Sequence, residues 1–494
     1  MANQPHPYRL KKAILAGLVV VSAYGVPALS ANLMDMVTLA EQNDQTLLAA
    51  QQKRLSIQEN TPIARANLLP QIGASAGLNY SRTDIKSNGI PGAPTVIKGN
   101  GRTLGLSLNQ VIYNRIDNLN LGIADLQARQ ADLDYAAAQQ NLLLRTSTAY
   151  FAVLQANASL QLSIASQKAF KNQLEQAQKR YEVGLVAVTD VANAQANYDK
   201  ANADIIAARN ALENAQSALA TITGKEPTEL DDVRTSLSTP RPDPANPSDW
   251  VTLAAKQNIS LQSAKIGGQI SQENVAINRA ARMPTVDLTG QYGYNSTPSQ
   301  FNGSESSNVA ASIGLQVSVP LYTGGRINAK SRQAAYQYQQ AQNEIENLRR
   351  TVQQGTANDY RGVLTSISEI TAYGQSVESA RTSLAATEAG YQVGTRTIVD
   401  VLNAQIQVFS AMANFLNARY SYLTNYLKLK ADTGQLSLDD IKAVNAQLVS
   451  GKINALIAPL MSGEQESQKS QQQMIERVIK RAAKTVESKA ADQH

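Results

Sequence analysis

Two short segments of this sequence repeat each other 210 residues apart and carry tyrosine, aspartate and arginine side chains that could form a site. The first is Tyr181–Gln195, YEVGLVAVTDVANAQ, and the second is Tyr391–Gln405, YQVGTRTIVDVLNAQ, with eight of the fifteen positions identical. Each carries an aspartate after a glycine break, and only the second carries an arginine. Such side chains suit hydrogen bonds, ion pairs and carboxylate binding of cations.

The composition gives little support to catalysis. The chain has no cysteine, and its two histidines, His6 and His494, stand near the two ends. Disulfides, metal sites built on Cys or His, and a Cys or His catalytic base are therefore all but excluded, although carboxylate chemistry remains possible. Gly324-Gly325 superficially suggests a phosphate site, but a tight turn suits it better. We expect no enzyme activity, no catalytic residue, no metal and no other cofactor.

Residues 1–31 have the pattern of a secretory signal peptide. Arg9, Lys11 and Lys12 precede the apolar stretch 13–21, and the small residues in 28–31 offer a cleavage site. A transmembrane anchor is the alternative, but spanning needs about 20 apolar residues. Cleavage would remove three of the six net positive charges, so the basic composition is no argument for nucleic-acid binding. We expect a secreted chain with no nucleic-acid partner.

The rest of the chain is an internal duplication that positions the two segments. We expect a first structural repeat over 32–224 and a second over 250–434, each with a helix, two strands, a helix of about 65 residues, a hinge and a shorter helix. The Pro-rich stretch 225–249 reads as a linker, and 435–494 as an equatorial segment with a polar C-terminal tail, mobile or peripheral. Residues 34–66 show one helical pattern and 81–101 read as a loop. The four strands are predicted at about 70–82, 102–114, 284–296 and 308–322.

Each predicted strand alternates apolar residues with small or polar ones, as in Ile72, Ala74, Ala76 and Leu78 against the intervening Gly, Ser and Asn. Strands of about ten residues with this pattern suit a transmembrane β-barrel, and a soluble sheet with one wet face is the alternative. Four strands cannot close a membrane barrel, since about eight is the smallest number, and open edges are not tolerated in lipid. Either several chains share one barrel, or the sheet lies outside the membrane.

The two shorter helices show a heptad pattern that predicts supercoiling against neighbouring helices. The seam positions are Val191, Ala194, Tyr198, Ala201, Ile205, Ala208, Leu212, Ala215, Leu219 and Ile222, then Val401, Ala404, Val408, Ala411, Phe415, Ala418 and Tyr422. A polar stripe runs one residue earlier, through Asp190, Asn193 and Asn197 and again through Asp400, Asn403 and Gln407. On a lone coiled coil this stripe is a solvated face, whereas in a ring of helices it would line a water-filled lumen.

The stretch 390–403, GYQVGTRTIVDVLN, together with 417–423, NARYSYL, resembles the TolC family of outer-membrane efflux channels. With the duplicated order of elements, the resemblance covers roughly residues 32–450. It is closer to the member that gives the family its name than to lipid-anchored members, consistent with the missing cysteine. It implies an α+β membrane protein: a homotrimer whose chains give four strands each to a 12-stranded transmembrane β-barrel in the outer membrane, continued by a long periplasmic α-helical coiled-coil tunnel.

The function implied by the resemblance is a passive exit duct for drugs, toxic small molecules and possibly proteins. Its partners would be outer-membrane lipid, a periplasmic adaptor (membrane fusion) protein, and an inner-membrane transporter of the RND, MFS or ABC class, the last for type I secretion. A trimeric coiled-coil structural or adhesive envelope protein without a conduit is the alternative. That alternative gives no reason for the four strands or the paired hinges.

The resemblance also implies a gate at the periplasmic end. Arg396 would bond Thr189 and Asp190 of a neighbouring helix, and Tyr391 would bond Asp190. Gly184 and Gly394 would be the hinge glycines. Asp400 would face the lumen at its constriction, where the family has a second acidic position that is Asn403 here, so cations should be attracted less strongly. Simple helix capping is the alternative role for Asp190 and Asp400.

Overall fold

A computed structural model describes residues 31–84, 96–227, 229–298, 305–449 and Ile457. The predicted signal peptide lies outside these residues except for Ala31, and so does the tail beyond 449 except for Ile457. The helices are α1 (Leu33–Asn43), α2 (Gln45–Gln58), α3 (Asn60–Ala66), α4 (Arg115–Glu182), α5 (Val188–Thr223), α6 (Pro247–Gln257), α7 (Ile259–Ala280), α8 (Arg326–Gln392), α9 (Ile398–Asp432) and α10 (Leu438–Asn445). The strands are β1 (Gln71–Asp84), β2 (Val96–Tyr113), β3 (Asp232–Val233), β4 (Thr285–Pro298), β5 (Glu305–Ser318) and β6 (Leu448–Val449).

The internal duplication is visible in the order of elements: short helices, two long strands, a very long helix and a shorter one, twice. The single helical pattern expected over 34–66 is wrong in detail, because three helices occupy that stretch. The first break is at Asp44, which has extended backbone angles and whose carboxylate accepts from the N–H of Leu47 at 2.7 Å. Asn258 caps α7 in the same way through Leu261 at 2.9 Å. A capping side chain therefore outweighs the continuous helical periodicity in both repeats.

β1, β2, β4 and β5 form one antiparallel sheet in the order β1-β2-β4-β5, so the two repeats join through β2 and β4. β2 begins six residues earlier than expected, and β1 continues to Asp84, so both enter the stretch expected to be a loop. β5 ends at Ser318 and not near 322. The backbone pairing Asp84↔Val96 extends the β1–β2 ladder beyond the alternating part of the sequence, which explains the miss.

The sheet has one apolar face and one face of small and polar residues. Cross-strand partners on the apolar face include Ile72↔Leu108 and Leu106↔Tyr292. Ile72 (78%), Leu106 and Tyr292 are exposed, and Leu108 is half-buried. On the opposite face glycines oppose hydroxyl residues: a Cβ on Gly73 would lie 3.0 Å from the Ser107 hydroxyl. Within one chain the apolar face is uncovered, and β1 and β5 each pair along one edge only among the described residues.

The long helices carry most of the buried core near their middle. α4 has 68 residues and α8 has 67, each about 100 Å long at 1.5 Å per residue. Tyr150 of α4 and Tyr360 of α8, equivalent positions in the two repeats, are buried, and their hydroxyls donate to the carbonyls of Asp231 (2.6 Å) and Ala245. Both carbonyls belong to the stretch expected to link the repeats, which is therefore tied to the core.

That linking stretch carries ordered structure of its own. β3 pairs with β6, and α6 begins with Pro247 in its first turn. Arg419, only 3% exposed, donates to the carbonyls of Val233 and Arg234. The Tyr420 hydroxyl donates to Asp232 at 3.0 Å. Burial lowers the pKa of Arg419 and raises the pKa of Asp232. The charge of each group opposes the shift of the other, so the two buried groups stabilise each other in their charged forms.

The segment after the second repeat joins the core. In α10 and β6, Ile441 is fully buried and Val444 and Leu448 nearly so. The expectation of a mobile or peripheral tail is therefore wrong for Leu438–Val449, since its apolar side chains fill the space beside α1 and α9. No helix in the described part of the chain is long and apolar enough to cross a membrane.

Candidate functional site: the paired hinges

Two tight turns reverse the chain, one between α4 and α5 and one between α8 and α9. Gly184 (φ +74°) and Gly394 (φ +81°) adopt the left-handed conformation that glycine tolerates best. In each turn an N–H donates to a carbonyl five residues back, Leu185 to Arg180 and Thr395 to Gly390, both at 2.8 Å. A glycine in this conformation satisfies the last helix carbonyls and stops the helix. The two glycines predicted as hinges therefore do end the long helices.

Beside the turns, side chains from four helices form a separate buried group that we call the hinge cluster. Its members are Phe170, Leu174 and Ala177 of α4, Ala194 and Ala201 of α5, Tyr391 of α8, and Ile398, Val401 and Leu402 of α9. The two alanines of α5, Ala194 and Ala201, lie at heptad positions read from the sequence, where small side chains permit close helix approach. The hinge cluster therefore couples the ends of the two helix pairs.

Tyr391 has the most unusual environment in the hinge cluster. Its side chain is 8% exposed, and its ring centroid lies 4.4 Å from the guanidinium carbon of Arg180. That spacing is typical of a cation–π contact. The hydroxyl oxygen is buried and has no hydrogen-bond partner among the described residues. Leaving a buried hydroxyl unpaired costs about 1–3 kcal/mol, so a hydrogen bond to an acceptor brought next to it would stabilise this end of α8.

Arg396 lies in the second turn and is exposed. Its backbone N–H donates to the Gly390 carbonyl at 3.2 Å, and its side chain crosses over that glycine. A Cβ on Gly390 would lie 2.8 Å from the Arg396 Cγ. Within the described residues the Arg396 guanidinium makes no ion pair with Asp190 and no hydrogen bond to Thr189.

Asp190 lies in the first turn of α5 and is half-buried, next to the exposed Thr189. Its backbone N–H donates to the Ala187 carbonyl at 3.1 Å, but its carboxylate makes no hydrogen bond to any described residue. The N-cap residue Ala187 has no side chain able to cap. Capping by hydrogen bonds is therefore not the role of the Asp190 carboxylate here, although its charge still suits a helix N-terminus.

Asp400 is different, because it belongs to a complete capping box at the start of α9. Its carboxylate accepts from the Thr397 N–H at 2.9 Å, and the Thr397 hydroxyl accepts from the Asp400 N–H at 3.3 Å. The hydrogen bonds that the Thr397 N–H and the Thr397 hydroxyl donate to the carboxylate, and more weakly the charge of Arg396, lower the pKa of Asp400. The carboxylate is therefore ionised at neutral pH. Asn403, one turn further, is exposed and adds no charge.

Arg180, Gly390 and Thr397 are site residues that the sequence analysis missed. Arg180 stands 210 residues before Gly390, so the two repeats differ at this position, and that difference was the available signal. Glu388, one turn before Tyr391, was also missed; burial raises its pKa, against a hydrogen bond from Gln405. No group of three His, Cys, Asp or Glu side chains in the described ranges could hold a metal ion.

The site thus consists of two glycine turns, one buried cluster, an unpaired tyrosine hydroxyl and an unpaired carboxylate. Of the four predicted network residues, Tyr391 is the one whose side chain belongs to the hinge cluster. Among the described residues there is no hydrogen bond or ion pair between any two of the four. Such an arrangement can form hydrogen bonds and ion pairs with a neighbouring chain, and Asp400 can attract cations.

Three comparisons with known proteins agree with one another. The profile of the family described as outer membrane efflux protein matches residues 36–225 and 250–435. The chain is 37% identical over 423 residues to outer membrane protein TolC of Vibrio cholerae, covering 85% of this chain and 94% of that one. It is 30% identical to the alkaline protease secretion protein AprF of Pseudomonas aeruginosa, covering 87% and 89%. The crystal structure of VceC from Vibrio cholerae superposes with a TM-score of 0.70 at 20% identity, covering 81% of this chain and 96% of that one.

Proposed function

Because this chain belongs to the outer membrane efflux protein family, we propose that three copies assemble into one gated exit duct. The protein is an outer-membrane channel for efflux and secretion. We further propose how three copies build the channel, which residues close it and which proteins dock on it. The observation that carries it is the sheet, which exposes one apolar face and, among the described residues, leaves the outer edges of β1 and β5 unpaired.

Barrel closure follows from those edges. Unpaired strand edges are not tolerated in lipid, and four strands are too few to close a barrel. Pairing β5 of one copy with β1 of the next gives twelve strands from three copies. The exposed apolar face, with Leu78 at 84% and Ile313 at 76%, would then face lipid. The face of glycine, serine, threonine and asparagine would line the lumen, as in membrane barrels.

The helices would continue the barrel as a periplasmic tunnel. Three copies of α4 and α8, with their shorter partners, supply helices about 100 Å long. In that ring the polar stripe through Asp190, Asn193 and Asn197 would face the lumen. We propose repeats over 32–224 and 250–434 as the repeating units of this wall, with 225–249 and the described segment from 435 to 449 around its equator.

The hinges would form the gate. Arg396 of one copy would pair with Asp190 and Thr189 of its neighbour, and the Tyr391 hydroxyl would donate to Asp190. Neither the Tyr391 hydroxyl nor the Asp190 carboxylate has a hydrogen-bond partner among the described residues, and this supports the assignment. Exposed pairs contribute about 0–1 kcal/mol each, so three copies would close the duct and still yield to a docked partner. Asp400 would form one ring of three carboxylates, with Asn403 replacing a second ring.

The turns themselves would receive a periplasmic adaptor. Val183, Leu185 and Val393 point into solvent with 68%, 73% and 75% of their surface exposed, at the tips of the two helix pairs. Exposed apolar groups clustered at the end of a tunnel suit a protein partner. We propose an adaptor there and an inner-membrane RND, MFS or ABC transporter as the energy source. The relative named for alkaline protease secretion supports a role in type I secretion. No catalysis is proposed for the duct.

Planar-bilayer recording of the purified full-length protein, together with its mass in detergent, tests the proposal. We expect a trimer that inserts and conducts ions. A trimeric coiled-coil structural or adhesive protein would show the mass of a trimer without conductance, and a monomer would contradict the barrel. The VceC comparison supports the fold alone, so conductance is the decisive measurement.

A further inference from the structure

A cavity of about 510 Å³ lies just below the sheet, between the first turns of α4, the C-terminal half of α7 and the start of α8. Only Asn114 separates Arg115 from the end of β2, and only Pro284 separates Met283 from the start of β4. The cavity is therefore at the level where strands become helices, which is the membrane boundary of the proposed barrel.

The cavity combines a buried apolar floor with charged walls. Leu119, Val275 and Ala280 are buried in it, while Arg115, Arg279 and Glu273 also line it. None of the three charged side chains has an ion-pair partner within the described ranges. Two guanidinium groups and one carboxylate facing one cavity suit a ligand with a negative and a positive group and an apolar body.

Two contacts indicate on which side of the wall the cavity opens. Tyr113 lies opposite Val286 on the apolar face of the sheet, and its hydroxyl donates to the sulfur of Met283, a cavity residue, at 3.7 Å. Cavity and apolar face are therefore continuous.

The orientation of α4 also indicates that the cavity opens on the side of the apolar face. Burial raises the pKa of Asp117, a hydrogen bond from Asn114 opposes this, and the charge of Asp287 raises it further, so Asp117 lies near a strand residue of the polar face. Arg115 stands two residues earlier, about 200° around the helix, so it points to the opposite side. Arg115 and Leu119 share that side, away from the lumen.

We propose that this cavity binds an amine-bearing phospholipid of the adjacent leaflet, with its phosphate between Arg115 and Arg279 and its ammonium group toward Glu273. The acyl chains would then extend along the apolar face. The inference rests on the proposed barrel, because only that assembly brings lipid to this level. Guanidinium groups bind phosphate through charge-assisted hydrogen bonds, and basic groups close to a membrane surface attract anionic headgroups.

The test uses the full trimer in mild detergent, titrated with phosphatidylethanolamine or phosphatidylglycerol and analysed by native mass spectrometry. The double variant Arg115→Gln, Arg279→Gln should bind phosphatidylethanolamine about tenfold more weakly or worse. Arg129→Gln is the matched control, because Arg129 is exposed on the same helix about 21 Å further along. It should bind like the wild type.

Two more variants test the details. Glu273→Gln should shift the preference toward phosphatidylglycerol, since the partner of the ammonium group is gone. Ala276→Phe fills the cavity without changing charge and should also abolish binding. It provides an independent test where the double variant does not assemble.

Equal lipid binding by the wild type, the double variant and Ala276→Phe would overturn the inference, as would a wild-type trimer that binds no phospholipid. Conductance separates this failure from failure of the duct. A trimer that conducts ions without retaining lipid contradicts only the lipid site, whereas a protein that does not conduct contradicts the proposed function itself.

Discussion

The guanidinium of Arg180 stacks on the ring of Tyr391, with 4.4 Å between the guanidinium carbon and the ring centroid. This contact joins the last turn of α4 to the last turn of α8. At the position equivalent to Arg180 the second repeat has Gly390, over which Arg396 crosses. The first repeat therefore contributes the arginine and the second repeat the tyrosine of this contact. The sequence is duplicated, but the site is not symmetric.

The gate is tested by removing its two bonding groups from α8 and the second turn. Tyr391→Phe combined with Arg396→Ser should raise single-channel conductance severalfold, because the variant lacks the hydroxyl and the guanidinium that close the proposed gate. Planar-bilayer recording measures this. Tyr181→Phe is the matched control, since Tyr181 is the equivalent tyrosine and is 49% exposed. Unchanged conductance in the double variant would remove the gate from these residues.

The two roles of Asp400 can be separated by two substitutions in one capping box. Asp400→Ala and Thr397→Ala should each destabilise the start of α9 by about 1 kcal/mol in thermal unfolding, since each removes capping bonds. Only Asp400→Ala should also relieve block by multivalent cations added on the periplasmic side. Relief by both variants would mean that helix order, and not the carboxylate, governs the block.

Asp432 predicts a pH-dependent stability. Burial and the neighbouring Asp359 raise its pKa from 3.8 to about 7, although Lys428, 2.9 Å from Asp359, opposes this shift. A carboxyl group with a raised folded-state pKa stabilises the fold at low pH, and that contribution is lost as pH rises from about 4 through 7.

Asp432→Asn should therefore gain thermal stability relative to the wild type between pH 5 and 7, with no further gain above about pH 8. Melting curves over this range measure the difference. Glu213→Gln changes an exposed carboxylate and should give a difference independent of pH. A pH-independent difference for Asp432→Asn as well would contradict the raised pKa of Asp432.

Two glycines with the same backbone conformation should respond differently to alanine. Gly184 has φ +74° and open space around it, whereas Gly434 has φ +72° with the Gln257 carbonyl directly in the path of a Cβ. Gly184→Ala should cost about 1 kcal/mol from backbone strain. Gly434→Ala should cost about 2 kcal/mol more, from overpacking against backbone. Denaturant unfolding measures both, and equal costs would mean that the loop at Gly434 relaxes freely.

The sequence by itself determined the features that depend on neighbouring residues. The 210-residue repeat, the ends of α4 and α8 at Gly184 and Gly394, and the two faces of the strands follow from local periodicity and from the backbone freedom of glycine. Relationship to a known family followed from the same residues. These features needed no knowledge of what lies across the core.

Only the tertiary structure decided the relationships between distant residues. The pairing of β2 with β4, the stacking of Arg180 on Tyr391 and the burial of Ile441 join parts of the chain that no periodicity connects. The sequence pattern is compatible with Asp44 as a helix cap or as a residue within a helix, and in the structure Asp44 caps α2. The physical reason is that long-range hydrogen bonds and packing contacts depend on which elements are adjacent in the fold. That adjacency is determined by the interactions of the whole chain and not by local sequence.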